Sequence, residues 1–440
     1  MTRVLTVWWD NTVVGTLQVN AHGEMRFTYA RAWLDDTSSR AISFSLPKQQ
    51  EAFTQRQCRP FFAGLLPEES QRDAIARTLG FSRGNDFAFL EALGGDVAGA
   101  LSLWPEGQAP PVEAPAGGAT PLTDEALAEL LAALPRYPLL AGREGLRLSL
   151  AGAQSKVPVV LVDGRVGLPA PGQPTTHILK PAMARFAHTT ENEAFVMTLA
   201  TAIGLPVAPV EARVVLGRPY LLVTRYDRRF DEDGRAHRLH QEDFCQALGI
   251  PPERKYSAEG GPTFKTAFEL VRRAVTAPAG AVLSLLDAAI FNLIVGNADA
   301  HGKNFSLLYR AGTITLAPFY DLLSTVVYPE LSTKMAMKLA RRATLDEIGP
   351  STWPAFAEDA GLSAPFVRRR VAELAEAVRV HGRAIVEQPA VAELDIAAAR
   401  DLANSIAARA ETVGRTAVPV STSPRAGRTP GRKRQADPPG

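Results

Sequence analysis

Residues 299–304 read Asp-Ala-His-Gly-Lys-Asn, and the interpretation of the whole chain starts from this stretch. Asp299 and Asn304 stand five positions apart, so a short loop could present a carboxylate and a side-chain amide together. The spacing alone is a weak indication, because such a pair arises by chance in a chain of this length. Its value depends on the segments that surround it.

The neighbouring segments predict a phosphoryl-transfer site. The apolar stretch 281–295 predicts a buried helix, and residues 305–316 predict a hairpin that leads to Asp321. Phosphoryl transfer needs a carboxylate beside the attacking hydroxyl, metal ligands, and a cation on the phosphates. Protein kinases build the Mg-ATP site from a helix, a catalytic loop, a hairpin and a metal-binding aspartate in this order. Asp299 and Asn304 match the carboxylate and the amide of such a loop, and Asp321 matches the later aspartate.

The upstream half offers a candidate nucleotide loop. A short run of mostly small residues precedes a predicted hairpin of residues 157–162, a turn at 163–164 and a return strand. Small residues would let backbone N–H groups approach phosphate oxygens, although the run is neither a Walker A motif nor a glycine-rich kinase loop. The run consists of Ala151, Gly152, Ala153, Gln154, Ser155 and Lys156.

The other parts of a nucleotide site follow in kinase order. Residues 176–180 predict a strand that ends at Lys180, the candidate phosphate-contacting lysine. A predicted helix at 191–203 offers Glu191 or Glu193 as the partner carboxylate, and the sequence does not choose between them. Two further strands lead to the expected adenine hinge, which consists of Thr224, Arg225, Tyr226 and Asp227.

Composition sets the class of protein. The chain has 440 residues, of which 46% are hydrophobic, enough for two packed units with connecting segments. Cys58 and Cys245 lack metal-ligand spacing and favour a reducing compartment. We find no signal peptide and expect no apolar run of membrane-spanning length, so a cytoplasmic protein is predicted. A net charge of +2 is too small to predict nucleic-acid binding by the whole chain.

The predicted fold class is α+β and protein-kinase-like. We expect a strand-rich N-terminal part with an extra subdomain, followed by a mostly helical C-terminal lobe. The helix predicted for 123–134 has Thr123 or Asp124 as its cap, and the tail is rich in Pro, Gly and Arg. The predicted divisions are an N-terminal subdomain at 1–104, a linker and helix at 105–145, a kinase N-lobe at 146–230, a helical C-lobe at 231–415, and a disordered basic tail at 416–440.

Taken together, these stretches resemble the HipA family of bacterial toxin kinases, and the resemblance covers nearly the whole chain except the tail. The matching stretches keep the order and spacing of the family and are therefore highly specific. They lie at residues 61–67, 147–156, 175–180, 226–229, 241–243, 299–306 and 318–321.

The resemblance implies a serine/threonine protein kinase that is the toxin of a type II toxin-antitoxin pair and uses ATP and Mg²⁺. Asp299 would then be the catalytic base, Asn304 and Asp321 the metal ligands, and Lys180 the phosphate contact. The run 151–156 would form the nucleotide loop, and residues 224–226 the hinge. His301, Gly302 and Lys303 fall in the ATP-contacting stretch of the family.

The resemblance also implies regulation and partners. Ser149 matches a serine that family members phosphorylate on themselves, which silences the enzyme by expelling the nucleotide loop. The implied partners are a HipB-like helix-turn-helix antitoxin, operator DNA bound through it, and a protein substrate such as an aminoacyl-tRNA synthetase. Thr224 departs from the family, which often has an acidic residue there, so one side-chain contact to adenine is in doubt.

Two alternatives remain at this point. A small-molecule kinase of the aminoglycoside phosphotransferase kind shares the Asp-to-Asn spacing and the later aspartate, but it gives no reason for residues 1–104 or for Ser149. An inactive scaffold that acts only as a corepressor is the alternative from another class. The joint presence of Lys180, Asp299, Asn304 and Asp321 argues against it.

Overall fold

The computed structural model describes residues 2–111, 118–142, 146–152, 154–387 and 394–418. Ala153 and the predicted basic tail beyond residue 418 lie outside the described residues. Within the described part, the α+β class is confirmed, with strands concentrated in the first half and helices in the second.

The helices predicted at 123–134, 191–203 and 281–295 and the strands predicted at 157–162 and 176–180 begin and end within a few residues of their predicted positions. The helices are α1 Arg31–Asp35, α2 Gln55–Gly64, α3 Glu69–Leu79, α4 Asp86–Leu93, α5 Asp124–Ala133, α6 Thr189–Ala202, α7 Phe244–Ala247, α8 Phe264–Ala274, α9 Pro278–Val295, α10 Thr352–Ala360, α11 Ala364–Ile385 and α12 Ile396–Thr416. The strands are β1 Arg3–Trp9, β2 Thr12–Val19, β3 Met25–Tyr29, β4 Leu101–Pro105, β5 Thr120–Pro121, β6 Val157–Val162, β7 Arg165–Leu168, β8 His177–Pro181, β9 Val210–Val215, β10 Arg218–Thr224, β11 Arg228–Phe230, β12 Ala236–Arg238, β13 His240–Asp243, β14 Ser306–Arg310, β15 Thr313–Leu316, β16 Lys334–Leu339 and β17 Arg342–Thr344.

The N-terminal unit, residues 2–105, is a sheet covered by helices. Its four strands have the order β3-β2-β1-β4 and pair antiparallel. Short turns join β1, β2 and β3, whereas β4 reaches the edge of the sheet after the four helices. Aromatic rings fill the space between sheet and helices, and Phe27 contacts Tyr29, Phe53 and Phe62. The unit therefore has its own hydrophobic core.

A six-stranded sheet follows, with the order β5-β7-β6-β8-β10-β9. β8 lies between β6 and β10 and pairs antiparallel with both. Because side chains alternate along a strand, Leu179 enters the core on one face while Lys180 points to the other. The central position of β8 holds Lys180 on a rigid element. The hairpin of β6 and β7 confirms the predicted turn after the candidate nucleotide loop.

The C-terminal part is built around α9, which packs against α8, α11 and α12. α9 ends at Gly296, whose φ of 75° is the left-handed conformation common after a helix. Our expectation that no apolar run reaches membrane-spanning length was wrong for this helix: by length and composition it could cross a membrane. However, 67% of it is buried within the protein, as expected for a core helix.

Candidate active site

One cavity of about 830 Å³ lies between the six-stranded sheet, the C-terminal helices and the N-terminal unit. It brings together most of the side chains that the sequence singled out. Those that line it are Ala151, Gly152, Gln154, Lys156, Lys180, Thr224, Arg225, Tyr226, Asp227, Asp299, His301, Lys303, Asn304 and Asp321. Ser155 and Gly302 are not among the lining residues, and Gly302 packs beside Pro262 and Cys245.

Residues 299–304, the predicted catalytic segment, are held at Asp299 by hydrogen bonds with neighbouring side chains. The backbone N–H of Asp299 donates to Oδ1 of Asn297 at 3.1 Å, and Nδ2 of Asn297 donates to Oδ1 of Asn292 in α9 at 2.8 Å. The hydroxyl of Tyr256 donates to Oδ1 of Asp299 at 3.1 Å. The position of the Asp299 carboxylate is therefore set by the end of α9 and by Tyr256.

The environment of Asp299 suits a proton acceptor. Its side chain is open to water in the cavity, yet it lies deep in the cleft, where surrounding protein raises its pKa to about 6. The positive charge of Lys255 opposes this shift, and the negative charge of Asp321 adds to it. At neutral pH most molecules carry an ionised Asp299 whose pKa is close to the ambient pH, which is the condition for efficient proton transfer.

Asp321 lies beside Asn304 at the end of the catalytic segment. Nδ2 of Asn304 donates to Oδ2 of Asp321 at 2.9 Å, and Oδ1 of Asn304 accepts the N–H of His301 at 3.0 Å. Asp321 has a φ of 60°, an unusual conformation for a residue other than glycine, and such strain is concentrated at functional sites. Burial alone would raise its pKa, but Lys180 and Lys156 lower it, so the carboxylate is ionised.

Lys180 of the six-stranded sheet contacts the carboxylates of Glu193 and Asp321. Its Nζ lies 2.7 Å from Oε1 of Glu193 and 2.8 Å from Oδ1 of Asp321. Burial alone would lower the pKa of Lys180, whereas Asp321 and Glu193 raise it. Glu193 is therefore the partner, and Glu191 instead lies 4.0 Å from Nδ1 of His188. The choice that the sequence left open is resolved by the direction in which α6 presents the two side chains.

The candidate nucleotide loop enters the cavity just before β6. Gly152 has a φ of +114°, which residues with a side chain rarely adopt. Burial and the nearby charge of Lys180 lower the pKa of Lys156 to about 8. Lys156 and Lys180 thus place two cationic side chains at one end of the cavity, where an anionic group would be favoured.

The hinge segment begins where β10 ends, at Thr224. The backbone N–H of Arg225 donates to the carbonyl of Thr176 at 3.0 Å. The side chain of Arg225 contacts both oxygens of Asp227, at 2.9 and 2.7 Å, in a buried cluster that includes Asp96. The guanidinium of Arg225 and the carboxylate of Asp227 therefore bind one another within this buried cluster.

His301 and Lys303 contact protein groups. Nζ of Lys303 donates to Oδ2 of Asp243 at 2.7 Å and to the carbonyl of Gly64 at 3.0 Å. Burial and the charge of Lys255 lower the pKa of His301 to about 3, so its ring is neutral at physiological pH. Lys303 thus links the catalytic segment to the N-terminal unit.

Ser149 is fully buried just ahead of the nucleotide loop. Its Oγ donates to the carbonyl of Leu65 at 2.8 Å, and its N–H donates to the carbonyl of Asp96 at 2.9 Å. Both partners belong to the N-terminal unit. In this conformation the hydroxyl of Ser149 cannot reach a phosphate donor.

Sequence reasoning missed residues that reach the site from outside the expected segments. Tyr256 and Lys255 come from the region before α8, and Glu68 and Gln71 come from the N-terminal unit. The stretch 61–67, which carried part of the resemblance, ends directly before Glu68. This position next to a matching stretch could have indicated that Glu68 belongs to the site. We find no comparable sequence signal for Tyr256.

The residues present fit a magnesium ion. Mg²⁺ prefers oxygen ligands, keeps several waters, and is usually held by one or two carboxylates plus substrate phosphates. Asp321 supplies an ionised carboxylate, and rotation of the Asn304 amide would turn its oxygen toward the same place. Among the described residues no group of three or more His, Cys, Asp or Glu side chains could hold a metal, so a dedicated all-protein cage is not seen there.

Comparisons with known proteins match two family domains along the chain. The HipA N-terminal domain family matches residues 5–104, and the HipA-like C-terminal domain family matches residues 148–381. A Sinorhizobium fredii protein named only as a kinase is 58% identical over 414 residues, 93% of this chain and 98% of that protein. The serine/threonine-protein kinase toxin HipA of Shewanella oneidensis is 30% identical over 365 residues, 80% of this chain and 81% of its own length.

A solved structure also matches this chain over almost its whole length. The Shewanella oneidensis toxin-antitoxin complex of HipA, HipB and its operator DNA contains a chain that matches with a TM-score of 0.80 and 28% identity. The match covers 94% of this chain and 99% of that one, so the likeness includes the N-terminal unit as well as the part that carries the cavity.

Proposed function

This chain belongs to the HipA family of kinases, and from that premise we propose that it transfers the γ-phosphate of ATP to a serine or threonine hydroxyl of a protein. The observation that carries the proposal is the chain of contacts from Glu193 through Lys180 and Asp321 to Asn304, in the same cavity as Asp299. These are the groups that phosphoryl transfer requires.

Each group has a part in the proposed reaction. Lys180 and Lys156 attract the phosphates, and Glu193 keeps Lys180 oriented. Tyr256 occupies Oδ1 of Asp299, so the second carboxylate oxygen is left to accept the proton of the attacking hydroxyl. Positioning of this kind supplies most of the rate enhancement in phosphoryl transfer, because the reaction needs little covalent chemistry from the protein.

Magnesium belongs to the proposal as the cofactor held by Asp321 and Asn304. When bound, the ion would supply positive charge that neutralises the negative charge developing on the phosphates. Lys180 now occupies Oδ1 of Asp321 and Asn304 occupies Oδ2. The hydrogen bond from Nδ2 of Asn304 would have to break if the Asn304 amide turned its oxygen toward the ion.

The chain acts, in this proposal, as the toxin of a type II toxin-antitoxin pair. The Shewanella oneidensis structure contains HipB and operator DNA, which supports a HipB-like antitoxin and a DNA complex for this chain as well. The protein substrate, which we propose to be a translation component such as an aminoacyl-tRNA synthetase, would be inactivated, with growth arrest or persistence as the result. The cytoplasmic location stays a prediction.

Ser149 is the proposed site of self-phosphorylation. Because its hydroxyl is bound to Leu65 and fully buried, phosphorylation requires the nucleotide loop to leave the N-terminal unit first. A phosphate carries nearly two negative charges and cannot return to a buried site beside Asp96, so the loop would stay displaced and the enzyme would be silenced.

Labelled ATP tests the proposal directly. Purified protein incubated with Mg-ATP labelled on the γ-phosphate is expected to incorporate label, and phosphosite mapping is expected to find it on Ser149. Asp299→Asn is the control that keeps the shape of the side chain and removes the base. Absence of label on the wild type would refute kinase activity, and transfer to aminoglycosides in place of protein would favour the small-molecule alternative.

The toxin reading is tested in cells. Ser149→Ala should bind nucleotide as the wild type does and arrest growth more strongly on controlled expression, because it cannot silence itself. Equal arrest by both proteins would count against self-inhibition. Phosphoproteomics after a short pulse of expression would identify the protein substrate.

A further inference from the structure

The corner between α2 and α3, residues 64–71, reaches from the N-terminal unit into the active-site cavity. Gly64, Glu68, Glu69 and Ser70 all line the cavity beside the catalytic segment. Phosphoryl transfer does not by itself call for these residues. Their contacts indicate what the N-terminal unit contributes to the site.

Glu68 has two cationic neighbours. Its Oε2 accepts a hydrogen bond from Nζ of Lys255 at 2.8 Å, and its Oε1 lies 3.6 Å from Nζ of Lys303. Oε1 is buried and accepts no hydrogen bond from the described residues. Burial alone would raise the pKa of Glu68, but Lys303 and Lys255 lower it, so the buried carboxylate is ionised.

Both lysines lead to the catalytic segment. Lys303 is part of it, one residue before Asn304. Lys255 directly precedes Tyr256, whose hydroxyl binds the Asp299 carboxylate. Glu68 therefore contacts Lys303 of the catalytic segment and Lys255, the neighbour of the tyrosine that binds the proposed base. It does so although it lies about 230 positions from Asp299 along the chain.

The same corner supports the nucleotide loop. The N–H of Glu68 donates to the carbonyl of Gly152 at 3.2 Å, and Nε2 of Gln71 donates to the same oxygen at 3.0 Å and also to the carbonyl of Gln154. Pro67 and Gly152 form a short parallel bridge. One loop of the N-terminal unit thus fixes both the phosphate end and the proton-acceptor end of the cavity.

We propose that Glu68 is a positioning residue through which the N-terminal unit completes the active site, holding Lys255 and Lys303 so that the nucleotide loop and Asp299 keep their alignment. This inference rests on the proposed kinase function. It assigns the N-terminal unit a part in catalysis, in addition to any part in binding partners.

The charges around Asp299 give the proposal a distinctive signature. Tyr256, Glu69, Lys255 and Asp321 act on Asp299 from the surrounding segments, and Lys334 of β16 also lines the cavity. Lys255 favours the ionised form of Asp299. Glu68 partly neutralises Lys255, so removal of the Glu68 charge should strengthen the effect of Lys255 on the base.

The experiment compares the pH dependence of transfer in four proteins. Glu68→Gln should lower kcat about tenfold and move the acidic limb of the profile to lower pH by roughly 0.5 unit or more. Lys255→Gln should move the limb in the opposite direction. The double variant carries neither charge, so its limb should return to within about 0.3 unit of the wild type. Thermal melting shows whether each protein is folded.

Glu253→Gln is the matched control. Glu253 also joins the N-terminal unit to the rest of the chain, through an ion pair with Arg59, and it stands two residues from Lys255. It does not line the cavity, and its side chain is 57% exposed. Its variant should keep the wild-type kcat and profile.

The outcomes separate this inference from the proposed function. An inactive wild type would refute both. An active wild type with an unchanged profile in Glu68→Gln, or a double variant that fails to restore the limb, would overturn the role of Glu68 and leave the kinase assignment intact. Opposite shifts that cancel in the double variant would support it, because a merely structural loss would not compensate in this way.

Discussion

The pH dependence of phosphoryl transfer should report the protonation of Asp299. With a pKa of about 6, roughly nine-tenths of the carboxylates are ionised at pH 7 and roughly one-tenth at pH 5, because each unit below the pKa reduces the ionised fraction about tenfold. Activity is therefore present above about pH 6 and falls about tenfold between pH 7 and pH 5. The perturbation that tests this assignment is Tyr256→Phe.

The hydroxyl of Tyr256 stabilises the ionised form of Asp299 by a hydrogen bond and so lowers its pKa. A hydrogen bond of this kind contributes roughly 0.5–1.5 kcal/mol, which corresponds to a rise of roughly 0.4–1.1 pH units when the hydroxyl is removed. Initial rates of label transfer to a generic acceptor protein such as casein, at saturating Mg-ATP and constant ionic strength, measure the midpoint. Comparison of two enzymes under one set of conditions cancels the titration of the substrates.

Tyr137→Phe is the control, because Tyr137 is 53% exposed and does not line the cavity. Its profile should coincide with that of the wild type. A wild-type midpoint below about pH 5, or an unshifted midpoint in Tyr256→Phe, would refute the reasoning that Asp299 is a base held by Tyr256.

Three further predictions concern other charged groups. Lys180→Met should reduce kcat/KM for ATP about 100-fold or more, because Asp321 and Glu193 lose their shared cation; steady-state kinetics with retained folding by circular dichroism checks this, and a loss under tenfold would contradict it. Asp321→Asn should abolish the increase in ATP affinity that Mg²⁺ gives the wild type, and fluorescence titrations with and without Mg²⁺ should show one affinity for the variant. Asp96→Asn should lower the free energy of unfolding at pH 7 by about 3–5 kcal/mol in urea titrations, because buried arginines lose their carboxylate. The pKa of Asp96 is depressed in the folded state, so its stabilising effect is present above the unfolded value of about 3.9 and is lost as pH falls. The difference in free energy of unfolding between variant and wild type should therefore shrink below about pH 4. A difference that stays constant with pH would contradict this account.

The sequence predicted the parts of the site that follow one another locally. The apolar helix, the loop from Asp299 to Asn304, the hairpin and Asp321 lie within about 45 consecutive residues, and periodicity and turn residues define them. Lys180 could be placed because it ends a short strand at a suitable interval. These predictions rest on short-range patterns that can be recognised without knowledge of the tertiary structure.

The remaining features depend on long-range packing. Glu191 and Glu193 differ only in the direction that α6 gives them, and the rotation of a helix about its axis follows from its neighbours. The contacts of Glu68 with Lys255 and Lys303 join segments that no local pattern connects. The side chains of Arg225 and Asp227 were predicted within an adenine hinge. In the structure they contact each other, and Arg225 also contacts Asp96 in the buried cluster.

That buried cluster restricts how the chain can evolve by recombination. Asp96 belongs to the N-terminal unit, while Arg225, Arg228 and Arg238, which contact its carboxylate, belong to the part that follows. A chimera that joined residues 2–105 of one relative to the remainder of another would bury several charges without their counterparts unless both parents shared the cluster. A folded chimera would therefore have to take Asp96 and its arginine partners from parents that share this ionic contact.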